Sequence, residues 1–141
     1  MSETITLSPG GPHSPAYTRQ LANAAAEAIR VLNHATFQTS SGALAHPADV
    51  DAVIEALATM HARLPQLYGQ LTEWLRGQLA AGRLQIGHGP FRGDPAAAVA
   101  EVAIPLQSAA LGAGAVHQAL GQARQITATI SAASGESGGA S

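Results

Sequence analysis

A chain of 141 residues, 46% hydrophobic but only 4% aromatic, has the length of one domain and must build its core from aliphatic side chains and alanine. Its net charge is −2, and its seven basic residues are scattered arginines with no lysine, which leaves no basic stripe for phosphates and argues against direct nucleic-acid binding. The absence of cysteine excludes disulfides, thiolate catalysis and Cys-ligated zinc.

Charged residues make up 11%, less than half the usual share of about 25%, so the outer faces are bland. The opening MSETITLSPGGPHSP lacks the basic start and apolar core of a signal peptide. No uninterrupted run approaches the roughly 18 apolar residues of a bilayer span. A cytoplasmic location with no membrane partner is the expectation.

Residues 1–14 mix Thr, Ser, Gly and Pro without helical period and are expected to form a disordered arm. Ser14 followed by Pro15 reads as an N-cap and first helical position. A helix is expected over residues 15–37, striped by Tyr17, Leu21, Ala28, Leu32 and Ala35, until the turn chemistry of QTSSG stops it.

His46 and Pro47 repeat the entry device, with Asp49 and Asp51 placing negative charge where the helix dipole favours it. The second helix is expected over 47–81. Val50, Val53, Leu57, Met60, Leu64, Leu67, Leu71 and Trp74 alternate steps of three and four, and Ile54, Tyr68 and Leu75 recur beside them, one apolar face over about four heptads. Pro65 removes the bond to the His61 carbonyl, and because the heptad phase runs through it a kink is predicted, the alternative being two helices that meet there. Gly82 suits the position after the helix end.

GRLQIGHGPFRG at 82–93 has no Gly-Lys-Ser/Thr ending and follows no strand, so it reads as a flexible interhelical turn and not as a phosphate cradle. Asp94 and Pro95 open a third helix, expected over 95–132, with Val102, Leu106, Ala109, Ala113, Val116 and Leu120 continuing the three-four spacing. Pro105 is a candidate bend, and Gly112, Gly114 and Gly121 read as small residues that let a neighbour come close. Only Glu101 and Arg124 carry charge in this stretch, which predicts cover on more than one face. Residues 134–141 read as a disordered tail.

The fold expected is all-α: an elongated up-down-up antiparallel three-helix bundle, helix two kinked or broken at Pro65, with disordered termini. Helix two would span roughly 50 Å and helix one about 30 Å, so helix one covers helix two only from about Val50 to Tyr68. The far end is then a two-helix hairpin whose Leu71, Trp74, Leu75 and Leu79 leave apolar surface of the kind that marks a partner site. Trp74 has two readings, a core residue that caps this end or an interface anchor.

Antiparallel counting brings His61 and His117 within about a turn of each other, with Asn23 and Glu27 near that level. The set could take a divalent metal, but bundles that hold metals normally display paired Glu and Glu-x-x-His motifs, which are missing. A polar layer that fixes helix register is the favoured reading, and no catalytic residue or cofactor is assigned. No Gly-x-Ser-x-Gly elbow supports a hydrolase.

Through VLNHAT at 31–36 and LAHPADVDAVIEALATMHARLPQLYGQLTEWL at 44–75, the chain resembles small Ala-rich helical proteins of actinobacteria, notably streptomycetes, with no established activity. The resemblance covers about half of the chain. It implies an accessory protein, such as a mobile element carries, and transfers no catalytic residue. The first expectation is therefore a non-enzymatic module that self-associates or docks a protein. The alternatives are a ligand- or metal-binding bundle centred on His61 and His117, and a DNA-associated accessory protein using Arg19, Arg30 and Arg124.

Overall fold

The computed structural model describes residues 4–38 and 41–133. The expected tail at 134–141 and residues 1–3 of the expected arm lie outside the described residues. The class is all-α: three helices, α1 (Pro15–Phe37), α2 (Pro47–Ala80) and α3 (Pro95–Thr127), and no strand among the described residues. The chain divides into two compact units at Ala45 and His46, the first holding α1 and the second α2 and α3.

In the first unit Ser14 caps α1 as expected, its hydroxyl accepting from the Tyr17 amide at 3.0 Å, with Pro15 supplying a pre-set φ. Residues 4–14 carry no helix or strand but turn back on the first turn of α1. The Tyr17 hydroxyl donates to the Thr6 carbonyl at 2.7 Å and accepts from the Ser8 amide at 3.2 Å. No residue of α1 is buried. Past the helix end, the Ser41 hydroxyl donates to the Ala35 carbonyl at 2.6 Å.

In the second unit α2 and α3 form an antiparallel hairpin. His46 and Asp49 start α2, with the His46 amide donating to the Asp49 carboxylate at 2.8 Å. Pro65 lies inside an unbroken helix, so the alternative of two separate helices does not hold. The missing Pro65 bond is outweighed by the continuous apolar phase on either side of it. Gly82, at φ 70°, ends α2 as expected, with the Arg83 amide closing on the Gln78 carbonyl at 3.0 Å. The glycine-rich turn is tied by its own bonds: the Gly93 amide donates to the Ile86 carbonyl at 3.0 Å and Arg92 to Gly89 at 3.2 Å, with positive φ at Gly89 and Gly93.

Asp94 caps α3 through a 3.0 Å bond from the Ala97 amide, and the helix runs through Pro105 to Thr127. It stops short of the expected 132. Past Thr127 the backbone bonds tighten to a three-residue spacing, the Thr129 amide donating to the Ile126 carbonyl at 2.9 Å and the Ile130 amide to the Thr127 carbonyl at 3.1 Å, in a stretch where β-branched Ile126, Thr127, Thr129 and Ile130 lower helix propensity.

Among the described residues the buried ones are Ala58, Thr72, Val99 and Ala113. The fully buried line between α2 and α3 is thus built mostly of small side chains, flanked by half-buried large ones such as Ile54, Leu64, Leu75, Leu79, Leu106 and Leu120. Leu67 and Leu71, in the apolar stripe of α2, are each 47% exposed. The column in contact with α3 holds Ala58 and Thr72, one step round the helix. α3 also has an 18-residue window of mean hydropathy 1.4, long and apolar enough by length and composition to cross a membrane. Counting uninterrupted runs passes over it because Gln107 and Ser108 fall inside the alanine-rich stretch.

The helical glycines do not serve close approach within the hairpin: a Cβ at Gly69, Gly112, Gly114 or Gly121 would meet nothing within 4 Å. Gly121→Ala should therefore raise the unfolding free energy by about 0.5–1 kcal/mol through lost chain entropy, read by urea denaturation. A decrease would show that a neighbour occupies that space.

Candidate interaction surface

The open end of the hairpin, away from the turn, is fastened by a polar latch. Asp51, early in α2, accepts from Arg124 Nε at 3.3 Å and Nη2 at 3.1 Å, and from the Thr127 hydroxyl at 2.6 Å. The Asp51 side chain is only 18% exposed, and Arg124 also reaches Glu55 at 3.5 Å. The bonds from Arg124, then from Thr127, hold the Asp51 carboxyl below the usual carboxylate range and outweigh desolvation. Asp51 therefore serves the interhelical seam, while Asp49 alone answers the helix N-terminus. This latch is missing from the sequence reading. The antiparallel count that pairs His61 with His117 also pairs Asp51 with Arg124, so the signal was present in the register.

Two turns further in, His117 Nδ1 donates to the Ala58 carbonyl at 2.8 Å. A carbonyl only accepts, so this bond fixes the hydrogen on Nδ1 in the neutral ring. His61 lies one turn beyond Ala58, as the count expected, but its buried Nδ1 has no partner. The pair forms the expected polar layer only on the His117 side. Among the described residues no group of three His, Asp or Glu side chains is placed to hold a metal ion.

The residues expected at the hairpin end separate into two sets. Leu75 and Leu79 are half-buried and share the register of Thr72, so they belong to the seam. Leu71 and Trp74 point away from it, and Trp74 is 62% exposed, which removes its reading as a core cap. Leu67 precedes them by one turn, so three large apolar groups at i, i+4 and i+7 form a continuous exposed strip. On α3, Val102 (41%) lies on the same side at the level of this strip.

The opposite side of the hairpin holds an open groove of about 730 Å³, its floor made by Tyr68, Ala103, Ile104, Leu106 and Ala110 and its rim by Gln66, Glu73, Arg76 and Gln107. Of the arginines that could have gathered for DNA, Arg30 is paired with Glu27 on its own helix and Arg124 with Asp51 and Glu55. Their charges are compensated locally. No family model, curated protein or solved structure matches the chain.

Two measurements check this account. The folded Asp51 pKa lies below its unfolded value of about 3.9, so the unfolded chain takes up the proton first and the stability contributed by the latch is lost as pH falls below about 4. Asp51→Asn should melt several degrees lower than the parent at pH 7, and the gap should narrow at pH 3; a gap independent of pH would refute the ionised latch. His61→Leu should raise stability by about 1 kcal/mol by removing an unpaired buried nitrogen, and a loss of stability in urea denaturation would assign that nitrogen a partner.

Proposed function

We propose that this protein is a non-enzymatic helical interaction module, working in an aqueous compartment such as the cytoplasm, that associates with itself or docks a partner protein through the apolar strip near the hairpin turn. The observation that carries this reading is Trp74, the single tryptophan, standing 62% exposed beside Leu71 at 47%. Tryptophan is the side chain most enriched at positions that dominate binding energy. Contiguous large apolar groups without charges among them are the usual signature of a protein-binding patch.

The polar groups support the same assignment. Asp51 is engaged by Arg124 and Thr127, and His117 commits its Nδ1 to a backbone carbonyl, so the groups nearest to a catalytic constellation act as ties between helices. The α2 helix carries Asp51, Glu55, Arg63, Glu73 and Arg76. These charges would be costly in a bilayer and favour a hairpin bathed in water despite the apolar composition of α3.

Light scattering coupled to size exclusion over a tenfold concentration range tests the reading. Assembly is expected, either with itself or, if the free chain is monomeric, with a protein recovered by pull-down. Trp74→Ala should weaken that assembly by at least about 30-fold, a hot-spot loss of about 2 kcal/mol, with helicity unchanged by circular dichroism. Unchanged assembly in Trp74→Ala with helicity retained would overturn the reading, and unchanged assembly with lost helicity would give Trp74 a structural role instead.

A further inference from the structure

The apolar surface is not confined to the hairpin end. On α2 the column Val50, Leu57, Leu64 and Leu71 lies on one side of the seam, flanked by Val53, Met60, Leu67 and Trp74. On α3 the column that faces the same side is Val102, Ala109, Val116 and Ala123, flanked by Pro105, Gly112, Ala119 and Ile126. None of these positions is charged. Exposure is distributed along the whole length: Val50 38%, Leu71 47%, Val102 41%, Val116 40% and Ile126 66%.

We propose that this face is the interface with a second copy of the same chain, the two hairpins packing into a four-helix arrangement about a two-fold axis parallel to the helices. The proposal rests on the association reading above and extends it from the hairpin end to the full face. Three observations select the occupant.

The first is area. At 1.5 Å per residue the face runs about 45 Å, and two helices about 10 Å apart give it a width of about 20 Å. A footprint of about 900 Å² per copy meets the roughly 800 Å² per partner of a stable interface, and a second hairpin has matching length and width. The second is charge. An uncharged face finds an uncharged complement of the same extent in its own copy, and no basic or acidic partner is selected by it.

The third is shape. The α2 side is built of Leu, Met, Val and Trp, and the α3 side is smaller on average, half of it Ala and Gly (Ala109, Gly112, Ala119 and Ala123); a Cβ at Gly112 would meet nothing in this chain within 4 Å. An axis parallel to the helices sets α2 of one copy beside α3 of the other, large side chains over small ones. A perpendicular axis would set α2 on α2, leucines against leucines, and leave a gap between the two alanine-rich helices.

The test uses the full-length chain and three variants. Val116→Glu lies on the face about two-thirds of the way along α3 and remote from Trp74. It should weaken dimerisation at least about 100-fold by burying an unpaired charge, with helicity retained, whereas Leu111→Glu, on the far side of α3 and 71% exposed, should leave the dimer intact. Because the chain has no cysteine, His88→Cys in the interhelical turn accepts a single spin label away from the face. A parallel axis brings the two turns to the same end, with a label separation below about 30 Å; a perpendicular axis separates them by about 50 Å.

A dimer with the short distance, broken by Val116→Glu and not by Leu111→Glu, supports the proposal. A monomer at all concentrations overturns it, as does a dimer that withstands Val116→Glu; the association reading survives the second case if Trp74→Ala still weakens the dimer, and the first if a partner protein is recovered. A dimer with the long distance overturns the parallel arrangement. Should Val116→Glu lose helicity, Val102→Glu at a second exposed position on the same column decides by the same criteria.

Discussion

The hairpin depends on how closely α2 and α3 approach, and that approach is set by the smallness of the groups between them. Ala58, Thr72, Val99 and Ala113 form the buried line, and the Thr72 hydroxyl is returned to the Tyr68 carbonyl of its own helix at 3.2 Å, so it asks nothing of α3. With small groups in the seam the backbones come near enough for His117 to reach a main-chain carbonyl on the facing helix. The same geometry explains why bulky residues are displaced to the flank. Leu75 and Leu79 stay half-buried at the edge of the seam, while Leu67, Leu71 and Trp74 remain on the surface, where only another body can cover them.

Two kinds of tie then fix register. Hydrophobic contact between alanines is nearly indifferent to a shift of one turn, since every turn presents a similar methyl surface. The Asp51, Arg124 and Thr127 cluster is not indifferent, because a shift of one turn in either direction strands the carboxylate in a part-buried position without donors. The His117 bond to Ala58 adds a second register mark. Specific alignment in an alanine-rich hairpin thus comes from a few polar groups, while area supplies the attraction.

Much of this is legible in the amino-acid sequence. Ser14-Pro15, His46-Pro47 and Asp94-Pro95 mark the helix starts because cap chemistry is local, and Gly82 marks an end because only a positive φ closes that turn. The apolar strip is readable, including the surface that Leu71 and Trp74 leave at the hairpin end. The buried line through Ala58 and Thr72 is not, because periodicity reports where side chains are large and these are small. The apolar spacing runs on to Ile130 and so overstates the end of α3, because periodicity does not register the change from four-residue to three-residue backbone bonds at Thr129 and Ile130. Pro65 left the choice between a bend and a break open, since the cost of a proline is local while the packing that offsets it is not.

The latch has a consequence for how the hairpin comes apart. One end is joined covalently through a turn held by backbone bonds at Ile86, Gly89 and Gly93, and the other is joined only by side chains. Opening therefore proceeds like a zipper from the Asp51 end, and amide hydrogens near residues 50 and 125 should exchange with solvent before those near 75 and 100. Any event that removes the charge of Arg124 or Asp51 acts at the free end of that zipper, where the least structure has to be broken to begin.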